Sequence, residues 1–237
     1  MRQPRGLFVV FEGGDGTGKS TQQRLLSVTL AAHGVDHLMT FEPGDSWLGR
    51  QVRELVLSPD SGDITPRAEA LLYIADKAQH VAEVVEPALA SGAVVVCDRY
   101  VDSTLAYQGA GRVLDVAEVE SIARWATGDL RPDLTVVLDL EPESGLATID
   151  HLDRIEAAGA DLHRRVRQGF LALAARDPGR YLVVPARSGS PDEIAVVVLH
   201  RLLRLDYPWP PSLRGLAASA AARRHPDVSE PDGRLTP

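Results

Sequence analysis

Three features of the sequence predict a three-layer α/β fold, with helices on both faces of a mostly parallel five-stranded sheet. The runs 7–11, 93–97 and 134–140 are short, apolar and without polar alternation, as strands covered on both faces require. Between them lie helix-length stretches punctuated by caps, glycines and prolines. The first run leads straight into Gly13-Gly14-Asp15-Gly16-Thr17-Gly18-Lys19-Ser20-Thr21, a G-x-x-x-x-G-K-S segment with helix-forming residues behind it.

That spacing is a P-loop, and it specifies the P-loop NTPase form of the fold. Gly13, Gly16 and Gly18 let the backbone curl so that successive N–H groups face a phosphate. The following helix adds its unsatisfied N–H groups and dipole. Lys19 brings a positive charge to the terminal phosphates, and Ser20 a hydroxyl to Mg²⁺. The implied ligand is ATP with Mg²⁺.

The elements follow in order. Residues 21–32 read as a helix stopped by His33-Gly34, and 35–41 as a strand. Ser46 caps a helix to Leu57, with Leu48, Val52, Leu55 and Val56 on one face. Thr65-Pro66 starts a long helix towards Ala90, bent at Pro87 and ended by Ser91-Gly92. Asp98-Arg99-Tyr100 stands at the carboxyl end of the 93–97 strand, where open α/β sheets bind ligands. Asp115 and Glu118 form a capping box for a helix through Thr127. Residues 161–175 are helical with Leu162, Val166, Phe170 and Leu173 on one stripe, and 181–184 form the last strand. Ser190-Pro191-Asp192-Glu193 opens a final helix to about Leu205. One domain over 1–206 is expected, then a mobile tail over 207–237.

Composition bounds the partners. The chain of 237 residues carries a formal net charge of -8, which disfavours nucleic acid or an anionic membrane as its main partner. No run is long enough to span a membrane, no signal peptide is read, and a cytoplasmic location is expected. Cys97 is the sole cysteine, which excludes an internal disulfide. Only Lys19 and Lys77 are lysines, so each merits attention.

Asp98 and Arg99 can serve Mg²⁺ and a pair of phosphates, or equally a helix cap and a surface cation. Their continuation, Val101-Asp102-Ser103-Thr104-Leu105-Ala106-Tyr107-Gln108-Gly109-Ala110-Gly111-Arg112, adds to the pattern. So do Leu71-Leu72-Tyr73-Ile74-Ala75-Asp76-Lys77, Arg131-Pro132-Asp133-Leu134 and Asp153-Arg154-Ile155-Glu156. Together with the P-loop these segments resemble the thymidylate kinase family over about residues 7–205. The resemblance implies ATP- and Mg²⁺-dependent phosphorylation of a deoxynucleoside monophosphate, dTMP in the first place, for dTTP biosynthesis, by a homodimer.

The resemblance also implies roles. Gly13 to Thr21 would hold the ATP phosphates, with Lys19, Arg99, Asp15 and Arg154 as the catalytic set. Asp15 would face the acceptor's 3′-hydroxyl or the metal, and Ser20 and Asp98 would serve Mg²⁺. Arg99 and Arg53 would take the acceptor phosphate. Tyr73 would stack on the base, Thr104 and Gln108 read its edge, and Tyr107 exclude a ribose 2′-hydroxyl. Tyr73 and Tyr107 can also be read as core aromatics.

The chain departs from the family pattern in three places. Phe41 stands where the family has arginine and Asp45 where it has glycine, so two changes oppose a dianion near the acceptor phosphate. Lys77 replaces a base-contacting arginine, a point charge in place of a planar fork. The lid region, about 141–157, keeps Arg154 alone of an arginine cluster, with Arg164 and Arg165 as other candidates. These departures leave two alternatives: a kinase for a modified nucleotide or another phosphate acceptor, and a weakly catalytic nucleotide-binding protein.

Overall fold

The computed structural model describes residues 5–149 and 153–221. Five strands pair in parallel in the order β2-β3-β1-β4-β5: β1 Phe8–Glu12, β2 His37–Phe41, β3 Val94–Asp98, β4 Leu134–Asp139 and β5 Tyr181–Pro185. The apolar runs expected to be covered on both faces are so: every residue of β1 is buried, as are the first four of β3. Phe11 pairs with Asp98, which pairs with Phe41, so three carboxyl ends finish on one edge. The chain then turns there, with Glu42 N donating to Asp98 O and Arg99 N to Phe11 O.

Helices α1 (Lys19–Ala32) and α9 (Pro191–Leu202) cover one face, where Leu26, Leu30, Val198 and Leu202 pack against Val9, Phe11 and Val96. The other face carries α3 (Pro66–His80), α4 (Glu86–Ala90) and α8 (Ala160–Arg176). Ser46 caps α2 (Trp47–Leu57) by accepting from Gly49 N, and the capping box of α9 is complete. Asp115 caps α6 (Val116–Ala126) through Ala117 N and Glu118 N, but no return bond from Glu118 completes the expected box.

Some expectations need correction. The bend before Pro87 is a π-helical turn, Val81–Val85, between α3 and α4. Proline offers no N–H to the preceding turn and crowds its carbonyl, and a widened turn accommodates both. Leu55 is 50% exposed and does not share the buried face of Val52 and Val56. Trp47 and Trp125, which on the sequence read as core or interface residues, are exposed. A helical stretch missed in the sequence, α5 (Val101–Thr104) continuing as a π-helical segment Leu105–Gly111, packs along α8.

The chain after 206 also departs from the expected tail. Trp209 and Leu213 are buried in the core beside Leu202, and the helix Pro211–Ala221 (α10) follows. Two large apolar groups near the end of α9 gain more by burial than the polar spacing around them suggested. The remainder of that expected tail, 222–237, lies outside the described residues, as do 150–152 of the lid.

Candidate active site

The P-loop leaves β1 through glycines in backbone conformations that other residues rarely adopt: φ is 129° at Gly13, 71° at Gly16 and 93° at Gly18. Gly14, Thr17 and Thr21 complete the loop with these, and Thr17 Oγ1 donates to Gly14 O at 3.0 Å. Lys19 folds back over the loop, its Nζ donating to Gly13 O (3.2 Å) and Gly14 O (2.8 Å). Burial, then Arg99, draws the Lys19 pKa below its ordinary value despite Asp15, Asp98 and Glu12 nearby. A buried ammonium resting on carbonyls is disposed to exchange them for phosphate oxygens.

The lid closes on this loop through α7 (Pro142–Leu146). A Cβ on Gly16 would sit 2.2 Å from Gly145 O, and one on Gly145 would sit 2.3 Å from Asp15 O. Two facing glycines therefore let the lid and the P-loop approach backbone to backbone. No side chain, arginine included, fits at position 16 in this arrangement.

Asp15 and Arg99 meet beside the loop. One Arg99 nitrogen pairs with Asp15 Oδ1; the other donates to Gly13 O (3.1 Å) and Ser103 Oγ (3.1 Å). Tyr107 donates its hydroxyl to Asp15 Oδ2 at 2.8 Å, and the guanidinium lies 5.2 Å from the Tyr107 ring centre. Burial opposes the Asp15 charge, but Arg99 and then Lys19 and Tyr107 outweigh it and hold the pKa below the carboxylate norm. Arg99 has φ 67°, a strained conformation for a side chain of its size.

Glu12 holds that strain, and the sequence reading gave it no role. Its buried carboxyl accepts from Tyr100 N (2.8 Å), Ser103 N (3.1 Å) and Ser103 Oγ (2.6 Å). It thereby fixes the turn that carries Asp98 and Arg99. Burial, then Asp102, pushes its pKa up to about 7. The available signal was an acid between an apolar strand and a P-loop.

Two cavities adjoin this centre. The first, about 420 Å³, is lined by Ser20, Gln23, Thr40, Arg53, Asp98 and Arg99 among others. Asp98 Oδ1 is buried there without a hydrogen-bond partner among the described residues. An orphaned carboxylate oxygen and the Ser20 hydroxyl on one cavity suit a hard, hydrated cation such as Mg²⁺. Arg53 borders both cavities, donating to Pro43 O at 2.8 Å with Phe41 5.8 Å away. Asp45 lines neither; its carboxylate accepts the Thr40 hydroxyl at 2.6 Å. Asp45 thus stands off the lining of both cavities, its carboxylate engaged by the neighbouring Thr40.

The second cavity, about 150 Å³, is lined by Asp15 and Arg99 together with Tyr73, Lys77, Thr104, Tyr107 and Gln108. The lid residues Asp153, Ile155 and Glu156 close it. Thr104 Oγ1 is buried there with no partner among the described residues. Lys77 is fully buried and pairs with Glu42 Oε2 at 3.1 Å. Burial works against its charge, but Glu42 and Asp76 outweigh it and raise its pKa. Tyr73 is half-buried, with the Lys77 ammonium 5.8 Å from its ring centre.

Glu42 also pairs through Oε1 with His80 Nδ1 (2.7 Å), whose Nε2 meets Thr40 Oγ1 (2.6 Å). Glu42, His80 and Cys97 bring donor atoms within 4.8 Å of one another. The Glu42 and His80 atoms already have partners, and burial pushes the Cys97 thiol well up, so this trio is a packed wedge behind Lys77.

The lid arginines stand elsewhere than their expected place at the transferring phosphoryl. Arg154 donates to Val56 O (2.8 Å) and Glu69 Oε2 (2.5 Å). Arg164 pairs with Glu143 and Asp161, and Arg165 donates to Gly111 O. Among the described residues, Lys19 and Arg99 bond to P-loop carbonyls, and Arg53 lines the cavity beside the loop.

The chain is similar to known proteins over most of its length. The family model for thymidylate kinase matches residues 11–194. A thymidylate kinase of Cutibacterium acnes is 63% identical over 200 residues, covering 84% of this chain and 98% of that protein. One from Clavibacter sepedonicus is 54% identical over 193 residues, covering 80% and 90%. The crystal structure of thymidylate kinase from Ehrlichia chaffeensis superposes with TM-score 0.70 at 28% identity, over 85% of this chain and all of the other.

Proposed function

The chain belongs to the thymidylate kinase family, and on that basis we propose its reaction in full: transfer of the ATP γ-phosphoryl to the 5′-phosphate of dTMP, with Mg²⁺, in the cytoplasm. It is a nucleoside monophosphate kinase acting on dTMP. The observation that carries the site assignment is the arrangement of two adjoining cavities about Asp15 and Arg99, one beside the P-loop and one with a polar and aromatic lining.

In this reading the P-loop amides from Gly13 to Thr21 and the Lys19 ammonium neutralise the donor phosphates. Ser20 and Asp98 would hold Mg²⁺, which would supply charge neutralisation at the donor phosphates. Arg53 and Arg99 align the acceptor phosphate, and Asp15 keeps Arg99 in place. No strong base is required, because a phosphate monoester with second pKa about 6 is largely dianionic near pH 7. Tyr73 stacks on the base, Tyr107 fills the space of a 2′-hydroxyl, and Lys77 donates to the O4 carbonyl while Thr104 and Gln108 meet the N3 edge. Arg154 acts at the base end and not at the phosphoryl.

A homodimer is part of the reading. Leu71 on α3 and Ile122 on the adjacent α6 expose apolar surface that a second copy would cover. Neither nucleic acid nor a membrane is a partner in this scheme, and no described helix is long and apolar enough to cross a membrane.

A coupled ADP-release assay with dTMP, dUMP, dCMP and dGMP tests the proposal. Turnover with dTMP well above the other three supports it. Equal rates, or turnover with dCMP alone, would sink the assigned base pocket.

A further inference from the structure

We infer that Glu69, outside the cavity, sets which bases the kinase accepts by fixing the direction of the Gln108 side-chain amide. This rests on the proposed base pocket and names the residue behind its selectivity.

The geometry is that of an acceptor surrounded by donors. Glu69 is 0% exposed and lines neither cavity. Its Oε1 accepts from Gln108 Nε2 (3.0 Å) and Arg112 Nε (3.1 Å). Its Oε2 accepts from Arg112 Nη2 (3.1 Å) and Arg154 Nη2 (2.5 Å). Two guanidinium groups keep such a carboxyl ionised. Burial opposes its charge, but Arg112, Gln108 and Arg154 outweigh it and hold the pKa below the usual range. An ionised carboxylate only accepts, so Gln108 must turn its NH₂ towards Glu69. No described residue donates to its Oε1, which is left for the cavity that Gln108 lines.

That polarity has chemical consequences. A carbonyl oxygen aimed at the N3 position accepts from the N3–H of thymine or uracil. It faces lone pair to lone pair with the unprotonated N3 of cytosine. A site with a fixed, desolvated acceptor rejects the wrong partner far better than a mobile one, since the mismatch leaves buried polar groups unpaired. Glu69 is therefore a positioning residue acting through Gln108.

Glu69→Gln tests this directly. The new amide has one acceptor oxygen, and the two guanidinium groups at the Oε2 position claim it most strongly. Its NH₂ then faces Gln108, which must reverse and present its own NH₂ to the cavity. The probe pair is dTMP and 5-methyl-dCMP, which share the methyl group and differ only at N3 and C4. In Glu69→Gln, kcat/KM for dTMP is expected to fall by about tenfold or more while that for 5-methyl-dCMP rises. A role limited to stability would lower both together, and an unchanged ratio in a folded variant overturns the inference. Gln108→Met provides the second arm: it removes the amide and leaves Glu69 its arginines. It is expected to lower dTMP alone, by about tenfold, and retention of the native ratio there also overturns the inference even if Glu69→Gln does not fold. If the wild-type enzyme fails to prefer dTMP over 5-methyl-dCMP, the base pocket of the proposed function fails, and Glu69 with it.

Discussion

Asp15 binds two residues at once: Arg99 on one carboxylate oxygen and the Tyr107 hydroxyl, at 2.8 Å, on the other. A P-loop acid thus joins the loop to the Asp98-Arg99 turn and to the wall of the acceptor cavity. Glu12 holds the same turn from behind through Tyr100 N and Ser103 N. The strained φ of 67° at Arg99 is kept by both.

Asp15→Asn removes the charge and leaves the shape. Arg99 then loses its ionic partner and its alignment. We expect kcat with dTMP to fall about 10²-fold, the scale of a 1 Å misplacement, with a smaller change in the ATP KM. Steady-state kinetics with each substrate varied would show this. A kcat within about threefold of wild type would remove Asp15 from the alignment scheme.

Arg154 gives the opposite expectation. Its guanidinium lies on Glu69 and Val56 O, at the base end. Arg154→Met should raise the KM for dTMP about tenfold and leave kcat within about threefold, the signature of lost uniform binding. A kcat loss of ~10³ or more would instead return Arg154 to the transferring phosphoryl, where an arginine has that effect.

The contact between lid and loop depends on two absent side chains. Gly16→Ala places a methyl group 2.2 Å from Gly145 O at a φ of 71°. Strain and overpacking together should destabilise the closed form by about 1–3 kcal/mol. The KM for ATP should rise while the KM for dTMP changes little. Unaltered ATP kinetics would show that the lid does not rest on the loop during turnover.

Asp76 provides a pH test of the wedge behind Lys77. Burial, then Glu42, raises its pKa to about 6, and its only hydrogen bond among the described residues is from Gly44 N at 3.2 Å. An unfolded Asp titrates near ~3.9, so between about pH 4 and pH 6 the folded chain keeps a proton that the unfolded chain has lost. The stability contributed by that proton is complete below about pH 4 and lost as pH rises through about 6. Asp76→Asn abolishes the titration. Its stability relative to wild type should grow by up to about 3 kcal/mol from pH 4 to 7 and then stay level. Urea midpoints across that range measure it, and a flat difference would contradict the assignment.

The fold was largely legible because its signals are local. Apolar runs without alternation mark strands covered on both faces, and Ser46, Asp115 and Ser190 each cap the helix that follows. The helix from Val101 to Gly111 was not legible, since Gly109 and Gly111 read as breakers, while in the fold Val116 of α6 packs against Gly109 and Val166 of α8 against Gly111. Burial of Trp209 and Leu213 depends on contacts with Leu202 that no local pattern records. At the site, the P-loop could be read from its spacing, whereas Asp98-Arg99 alone read equally as a helix cap and a surface cation and took a site role only from the family resemblance. Glu69 and Glu12 could not be read, because their roles come from long-range partners: Gln108 and Arg154 for one, Tyr100 and Ser103 for the other.

Phosphoryl transfer from ATP to dTMP at this P-loop is the reaction proposed for the chain. Following γ-phosphate-labelled ATP into dTDP, in wild type and in Lys19→Ala, tests it most directly. The account expects labelled dTDP at about 1–100 s⁻¹ with Mg²⁺ present, and a loss of about 10³-fold or more in the variant. Labelled inorganic phosphate without labelled dTDP, or equal dTDP formation in the variant, would contradict it.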